Sequence, residues 1–141
     1  MKRIILEGTD AVGKTTAKEL LVKEGIFVED RSRDVISKYM LFDVDMETRA
    51  EAYFKFLSEN DVIVIFMVNS DREEIMRRVY SREKVSEFDK RADEYNDLYE
   101  NTYRYMKERG LTKDKLFLLD CTHLSVKETV CALKEIITQN R

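Results

Sequence analysis

The stretch RIILEGTDAVGKTT, residues 3–16, runs from an apolar segment of strand length into a glycine-bounded loop and then into helix-forming residues. Gly8 to Thr15 match G-x-x-x-x-G-K-[ST] at every fixed position, in the strand–loop–helix setting that the pattern needs. Gly8 and Gly13 let the backbone wrap with its N–H groups inward, which makes an anion nest. The helix that follows adds its positive N-terminal end. Lys14 is spaced to reach the β- and γ-phosphates of a nucleoside triphosphate, and the Thr15 hydroxyl to coordinate Mg²⁺. Asp10, Ala11, Val12 and Thr16 complete the candidate phosphate-binding set. The expected occupant is ATP with Mg²⁺.

Composition narrows the remaining choices. A hydrophobic fraction of 43% in 141 residues is globular rather than disordered and suits one domain with one sizeable core. Charged residues reach 38%, but the net charge is only −3, so no concentrated basic surface for nucleic acid or membrane is indicated. The longest apolar run, 62–68, is far too short to span a bilayer, and no leader is visible after Met1. Cys121 and Cys131 lack metal-type spacing and read as free thiols. A cytoplasmic protein is expected. Motors and GTPases usually need a longer chain, and no guanine-reading N-K-x-D segment is present.

Hydrophobic period and turn residues predict strands over 3–7, 26–30, 62–68 and 116–120. Helices are predicted over 14–24, 34–42, 46–59, 72–80, 90–109 and from about 126 to 138, with Asp71 and Ser125 as N-caps and Gly25 and Gly110 as stops. Residues 81–89 are polar and irregular, and a lid is placed at about 78–90. Near-continuous apolar strands alternating with helices indicate a small doubly wound α/β fold: about four parallel strands, helices on both faces. In such sheets ligands sit beyond the carboxyl ends of the strands, where Gly8–Thr16, Glu29–Asp30, Asn69–Ser70 and Asp120–His123 all fall.

LEGTDAVGKTT, 6–16, resembles the opening of thymidylate kinases and their deoxynucleoside kinase relatives. FVEDRS, 27–32, resembles the strand that ends in that family's Asp-Arg motif. Tyr39 falls where the family carries a tyrosine. NDVIVIFMVNSDREEIMRRVYSRE, 60–83, resembles its "P-D-x-T" strand and the start of its arginine-bearing lid. DKLFLLDCTHLSVKETV, 114–130, resembles its last strand and adenine-side loop. The resemblance implies a P-loop NTPase fold and kinase activity. It implies that Arg31 helps hold the acceptor's phosphate, and that Asp10 faces an acceptor sugar hydroxyl. The chain also departs from the family. Only a short helix separates the phosphate loop from Asp30–Arg31, so the Arg-Glu-Pro segment and the helix with a base-stacking aromatic have no counterpart. Val35 and Met40 stand where a serine and a glutamine are expected. Tyr80 replaces the middle arginine of the lid helix, while Arg78 and Arg82 remain.

Several residues admit two readings. Asp30 can hold a Mg²⁺-bound water, with Glu29 as competitor, or can be a solvated strand end. Arg31 can clamp an acceptor phosphate or pair with a surface acid. Asp10 can contact the acceptor or its own turn. Arg78 and Arg82 can close over the phosphates, or form a solvated basic face with Glu74 and Glu83. Tyr95, Tyr99 and Tyr103 form an i, i+4, i+8 stripe better suited to core packing or a homodimer seam than to base stacking. His123 is expected to be exposed. The main expectation is an ATP-dependent phosphotransferase acting on a small nucleoside or nucleoside monophosphate. Lys14, Arg78 and Arg82 are its catalytic candidates, Asp10, Arg31 and Tyr39 its acceptor contacts, and Thr15 and Asp30 its Mg²⁺ ligands. Two other readings stay open: a regulatory nucleotide binder with little transferase activity, and a kinase for a larger or non-nucleotide acceptor.

Overall fold

The computed structural model describes residues 2–9, 12–30 and 38–141. Asp10, Ala11, Arg31 and Val35 lie outside the described residues, as do residues 34–37 of the helix expected over 34–42; 38–39 are helical, but 40–42 are bend and turn, so that helix ends earlier than expected. The described elements are β1 (Arg3–Glu7), α1 (Lys14–Lys23), β2 (Glu29–Asp30), α2 (Met46–Glu59), β3 (Val62–Val68), α3 (Arg72–Tyr80), α4 (Ala92–Glu108), β4 (Leu116–Asp120) and α5 (Val126–Asn140). A 3₁₀ turn, Asp89–Arg91, leads into α4.

The strands form one parallel sheet in the order β2-β1-β3-β4. The chain leaves β1 toward one side and returns to the other, so the crevice between the carboxyl ends of β1 and β3 is the topological switch point. β3 is buried over its whole length, as an apolar central strand between two helical layers must be. Its residues split by strict alternation. Val62, Val64, Phe66 and Val68 join Ile5 against Ala50, Tyr53 and Leu57 of α2 and Tyr99 and Met106 of α4. Ile63, Ile65 and Met67 join Ile4 and Leu6 against Ala17 and Leu21 of α1 and Leu133 and Ile137 of α5. A smaller cluster, Ile75, Val79 and Ala92, seats α3 on the start of α4.

The second strand is shorter than the expected 26–30. Gly25, at φ 83°, ends α1 in a Schellman motif. Its N–H goes to Val22 O at 3.0 Å and the Ile26 N–H to Leu21 O at 2.9 Å. Ile26 therefore has no N–H left for a ladder, and pairing begins only at Glu29 opposite Ile5. The same two bonds, Gly110 to Lys107 O and Leu111 to Met106 O, close α4. The expected caps are present. Asp71 accepts from the Glu74 N–H, and Ser125 forms a capping box with Glu128. The tyrosine stripe of α4 is spent on the chain's own packing. Tyr99 is buried, Tyr103 lies half-buried against the core, and Tyr95 meets Phe42 at 4.4 Å. Among the described residues no helix is long and apolar enough to cross a membrane.

Candidate functional site

The loop after β1 opens at the switch point and is held tightly against β3. A Cβ on Gly8 would sit 2.5 Å from Met67 O, so the backbone approaches β3 more closely than any side chain allows. Val12 is buried among the α1-side apolar residues and anchors the far half of the loop. Gly13 heads α1 as its N-cap, and its carbonyl accepts the Ala17 N–H at 3.1 Å. Thr15 and Thr16 follow on the exposed part of the first turn. The Thr9 hydroxyl is buried without a hydrogen-bond partner.

Lys14 is the central group. A lysine side chain is rarely buried unless paired, and this one is only 1% exposed. Its Nζ donates to Gly8 O at 2.9 Å and lies 3.1 Å from Asp30 Oδ1. The ammonium thus curls back over its own loop and meets the acid at the end of β2. The competing acid is engaged elsewhere. Both Glu29 carboxylate oxygens accept from the Arg3 guanidinium, at 2.8 and 2.9 Å, and that bidentate pair holds the carboxyl below its usual range. Of the two acids, Asp30 is the one beside the loop lysine.

Glu7, at the last position of β1, is fully buried on the α2/α4 face, with Tyr99 Oη 3.4 Å from its Oε2. Tyr53 stands near it, its hydroxyl also buried and without a hydrogen-bond partner. Burial first, then the charge of Glu7, hold the Tyr53 phenol well above its ordinary range, so it stays a neutral donor. Phe66 sits between the two rings, edge-on to Tyr53 at 5.5 Å and to Tyr99 at 5.1 Å. Sequence reasoning did not single out Glu7. A charged residue closing an apolar strand was the available signal.

The arginines of the expected lid are engaged by acids. Arg78 pairs with Glu74 at 2.5 Å one turn earlier on α3, and Arg82, in the turn beyond the helix, lies 3.4 Å from Asp89. Arg77 is exposed. Tyr39 is half-buried against the α2/α4 core, and its carbonyl accepts from Arg49 Nε at 3.0 Å. At the carboxyl end of β3, Asn69 and Asn96 exchange hydrogen bonds. The Asn69 N–H donates to Asn96 Oδ1 and Asn96 Nδ2 to Asn69 O, both at 2.9 Å. That exchange ties the strand end to α4. Ser70 donates to Asp120 Oδ2 at 2.9 Å, and the Ser70 N–H donates to Thr122 Oγ1 at 2.7 Å, joining the ends of β3 and β4.

The two cysteines are free, Cys121 buried and Cys131 exposed. Burial pushes the Cys121 thiol up to about 12. At neutral pH iodoacetamide is expected to label Cys131 and spare Cys121, read by peptide mass mapping. Comparable labelling of both would mean that the β4 end opens to solvent.

No family model matches the chain, and no curated protein matches it. Among solved structures, shikimate kinase from Bacteroides thetaiotaomicron matches with a TM-score of 0.44 and 12% identity. The match covers 97% of this chain and 98% of that one. A likeness of this size leaves the functional reading to rest on the site itself.

Proposed function

We propose that this chain is a P-loop phosphotransferase that moves the γ-phosphoryl group of ATP to a small acceptor, with nucleosides and nucleoside monophosphates the first to test. The observation that carries the reading is Lys14, buried at the switch point over a loop of the G-x-x-x-x-G-K-T pattern and facing Asp30. The ammonium, held 2.9 Å from a carbonyl of its own loop, is a buried cation positioned to meet an anion bound there.

Binding of the triphosphate would exchange partners. Lys14 would leave Gly8 O and Asp30 for the phosphate oxygens, and Asp30 would be released. Thr15 and Asp30 offer hard oxygen donors on either side of the loop, the donor type that Mg²⁺ prefers. The orphaned Thr9 hydroxyl also fits a bound phosphate. Mg²⁺, when bound by Thr15 and Asp30, would neutralise charge on the β- and γ-oxygens. Gly8, Asp10, Ala11, Val12, Gly13 and Thr16 would supply the rest of the cradle. Arg78 and Arg82 would exchange Glu74 and Asp89 for the transferring group as the lid closes, excluding water. Asp10, Arg31 and Tyr39 would position the acceptor. Such a reaction has a loose transition state and needs little base catalysis, so placement and charge stabilisation supply most of the rate.

The test is transfer from γ-labelled ATP to a panel of nucleosides and nucleoside monophosphates. A labelled product is expected, lost in Lys14→Ala. ATP binding without labelling of any panel member would sink the small-nucleotide acceptor.

A further inference from the structure

Away from the phosphate loop, three metal-type donors converge where α3 begins. They are Asp71 and Glu74 from the first turn of α3 and His123 from the loop after β4, all with donor atoms within 4.8 Å of one another. His123 Nε2 lies 3.1 Å from Asp71 Oδ2 and 3.8 Å from Glu74 Oε2. Each carboxylate is fixed by its other oxygen. Asp71 Oδ1 accepts the Glu74 N–H at 3.0 Å, and Glu74 Oε1 takes Arg78 at 2.5 Å and Asn69 Nδ2 at 3.3 Å. The oxygens turned to the imidazole are thus held in place by the fold. Glu74 is buried, and its Oε2 faces the imidazole from beyond hydrogen-bond range. His123 reaches the position from a left-handed backbone, φ 59°, a conformation that non-glycine residues adopt rarely.

We propose that Asp71, Glu74 and His123 bind a divalent transition-metal ion, Zn²⁺ or its close analogues, at a site separate from the nucleotide's Mg²⁺. A tetrahedral ion with bonds of about 2.0–2.2 Å sets its ligands roughly 3.3–3.6 Å apart. The observed separations from Nε2 bracket that span. Imidazole with two carboxylates suits Zn²⁺, Co²⁺ or Mn²⁺ more than Mg²⁺. The His123 side chain is 71% exposed, which leaves room for water to complete the coordination and for the ion to enter. The rival is a protonated His123 paired with Asp71, with no ion involved. The proposal does not rest on the phosphotransferase reading: its ligands lie outside the Gly8–Thr16 loop, and it concerns the nucleotide-free state in which Arg78 holds Glu74.

The test is Co²⁺ and Zn²⁺ binding to the full chain without nucleotide, by visible absorption and calorimetry, in a Cys131→Ser background that removes the exposed thiol. One ion per chain is expected. His123→Ala and Glu74→Gln should each weaken binding by more than the roughly 10- to 100-fold that loss of a second-shell partner costs. Lys14→Ala should leave it unchanged. His123 is exposed, so its variant should fold, checked by circular dichroism. No binding, binding indifferent to His123→Ala, or binding lost in Lys14→Ala would overturn the proposal.

Discussion

Lys14→Ala is expected to lower phosphoryl transfer by at least about 10²- to 10³-fold, the range for losing one preorganised donor to developing charge. The fold should survive it. The substitution leaves Asp30 without its cation, but that acid is 34% exposed, so water and salt screen it and the cost in stability is small. The lost bond to Gly8 O costs about 1.5–3 kcal/mol, the scale of one hydrogen bond to a charged group. A thermal melt should therefore still show one cooperative transition while steady-state transfer collapses. Lys14→Arg separates charge from shape. It keeps the cation, but a planar five-donor fork does not fit a space that leaves the lysine 1% exposed. It too should be inactive. If Lys14→Ala kept transfer within about tenfold of the parent, the loop would not be stabilising the reacting phosphate, and the proposed function would fail with it.

How much of this was legible in the sequence follows from what each element depends on. β1, α2, β3, α3 and β4 run over the residues that hydrophobic period and caps predicted. Each is fixed by a local signal: an apolar run, an Asp cap, or a stop at a turn. The error at β2 has a local cause that periodicity cannot register. The residues Ile26–Val28 look like strand, yet the Ile26 N–H is consumed by the end of α1 and Phe27 is 76% exposed. The passage from β1 through a glycine-bounded loop into α1 was readable because the pattern specifies backbone shape. The pairing of Lys14 with Asp30 was not, because it joins the first turn of α1 to the end of β2, which only the sheet brings together. The same holds for Glu7 beneath Tyr99, for the Asn69–Asn96 exchange, and for His123 over Asp71. These last three pairs are separated by at least 27 residues, and no spacing rule connects them. Asp71 was read correctly as a helix cap, but a cap uses one carboxylate oxygen and says nothing of the other.

Arg49→Ala is expected to destabilise the fold by about 3 kcal/mol or more, because three cationic hydrogen bonds are lost together. Arg49 is buried in the first turns of α2 and reaches back over the segment that precedes it. Nε donates to Tyr39 O at 3.0 Å, and Nη2 donates to Leu41 O at 3.1 Å and to Val44 O at 2.7 Å. The guanidinium therefore holds the backbone of 39–44 against the α2/α4 core; alanine would take this donor from the part-buried Tyr39 and Val44 carbonyls, while Leu41 O keeps the Val44 N–H at 3.2 Å. For a chain of this length the loss corresponds to a melting temperature lower by roughly 10 °C. Lysine should rescue little, since one ammonium cannot serve carbonyls spread over a planar fork. The functional consequence follows from the segment's position. It carries Tyr39, the proposed acceptor contact, and Phe42, which packs on Tyr95 and lies under the Arg91 guanidinium at 3.7 Å. It carries nothing of the phosphate loop. In the fraction that stays folded, KM for the acceptor should rise by a larger factor than KM for ATP. Scanning calorimetry and two-substrate kinetics at low temperature would check both. A melting shift of only about 2 °C would mean that the carbonyls find water instead, and equal rises in the two KM values would remove 39–44 from the acceptor side of the site.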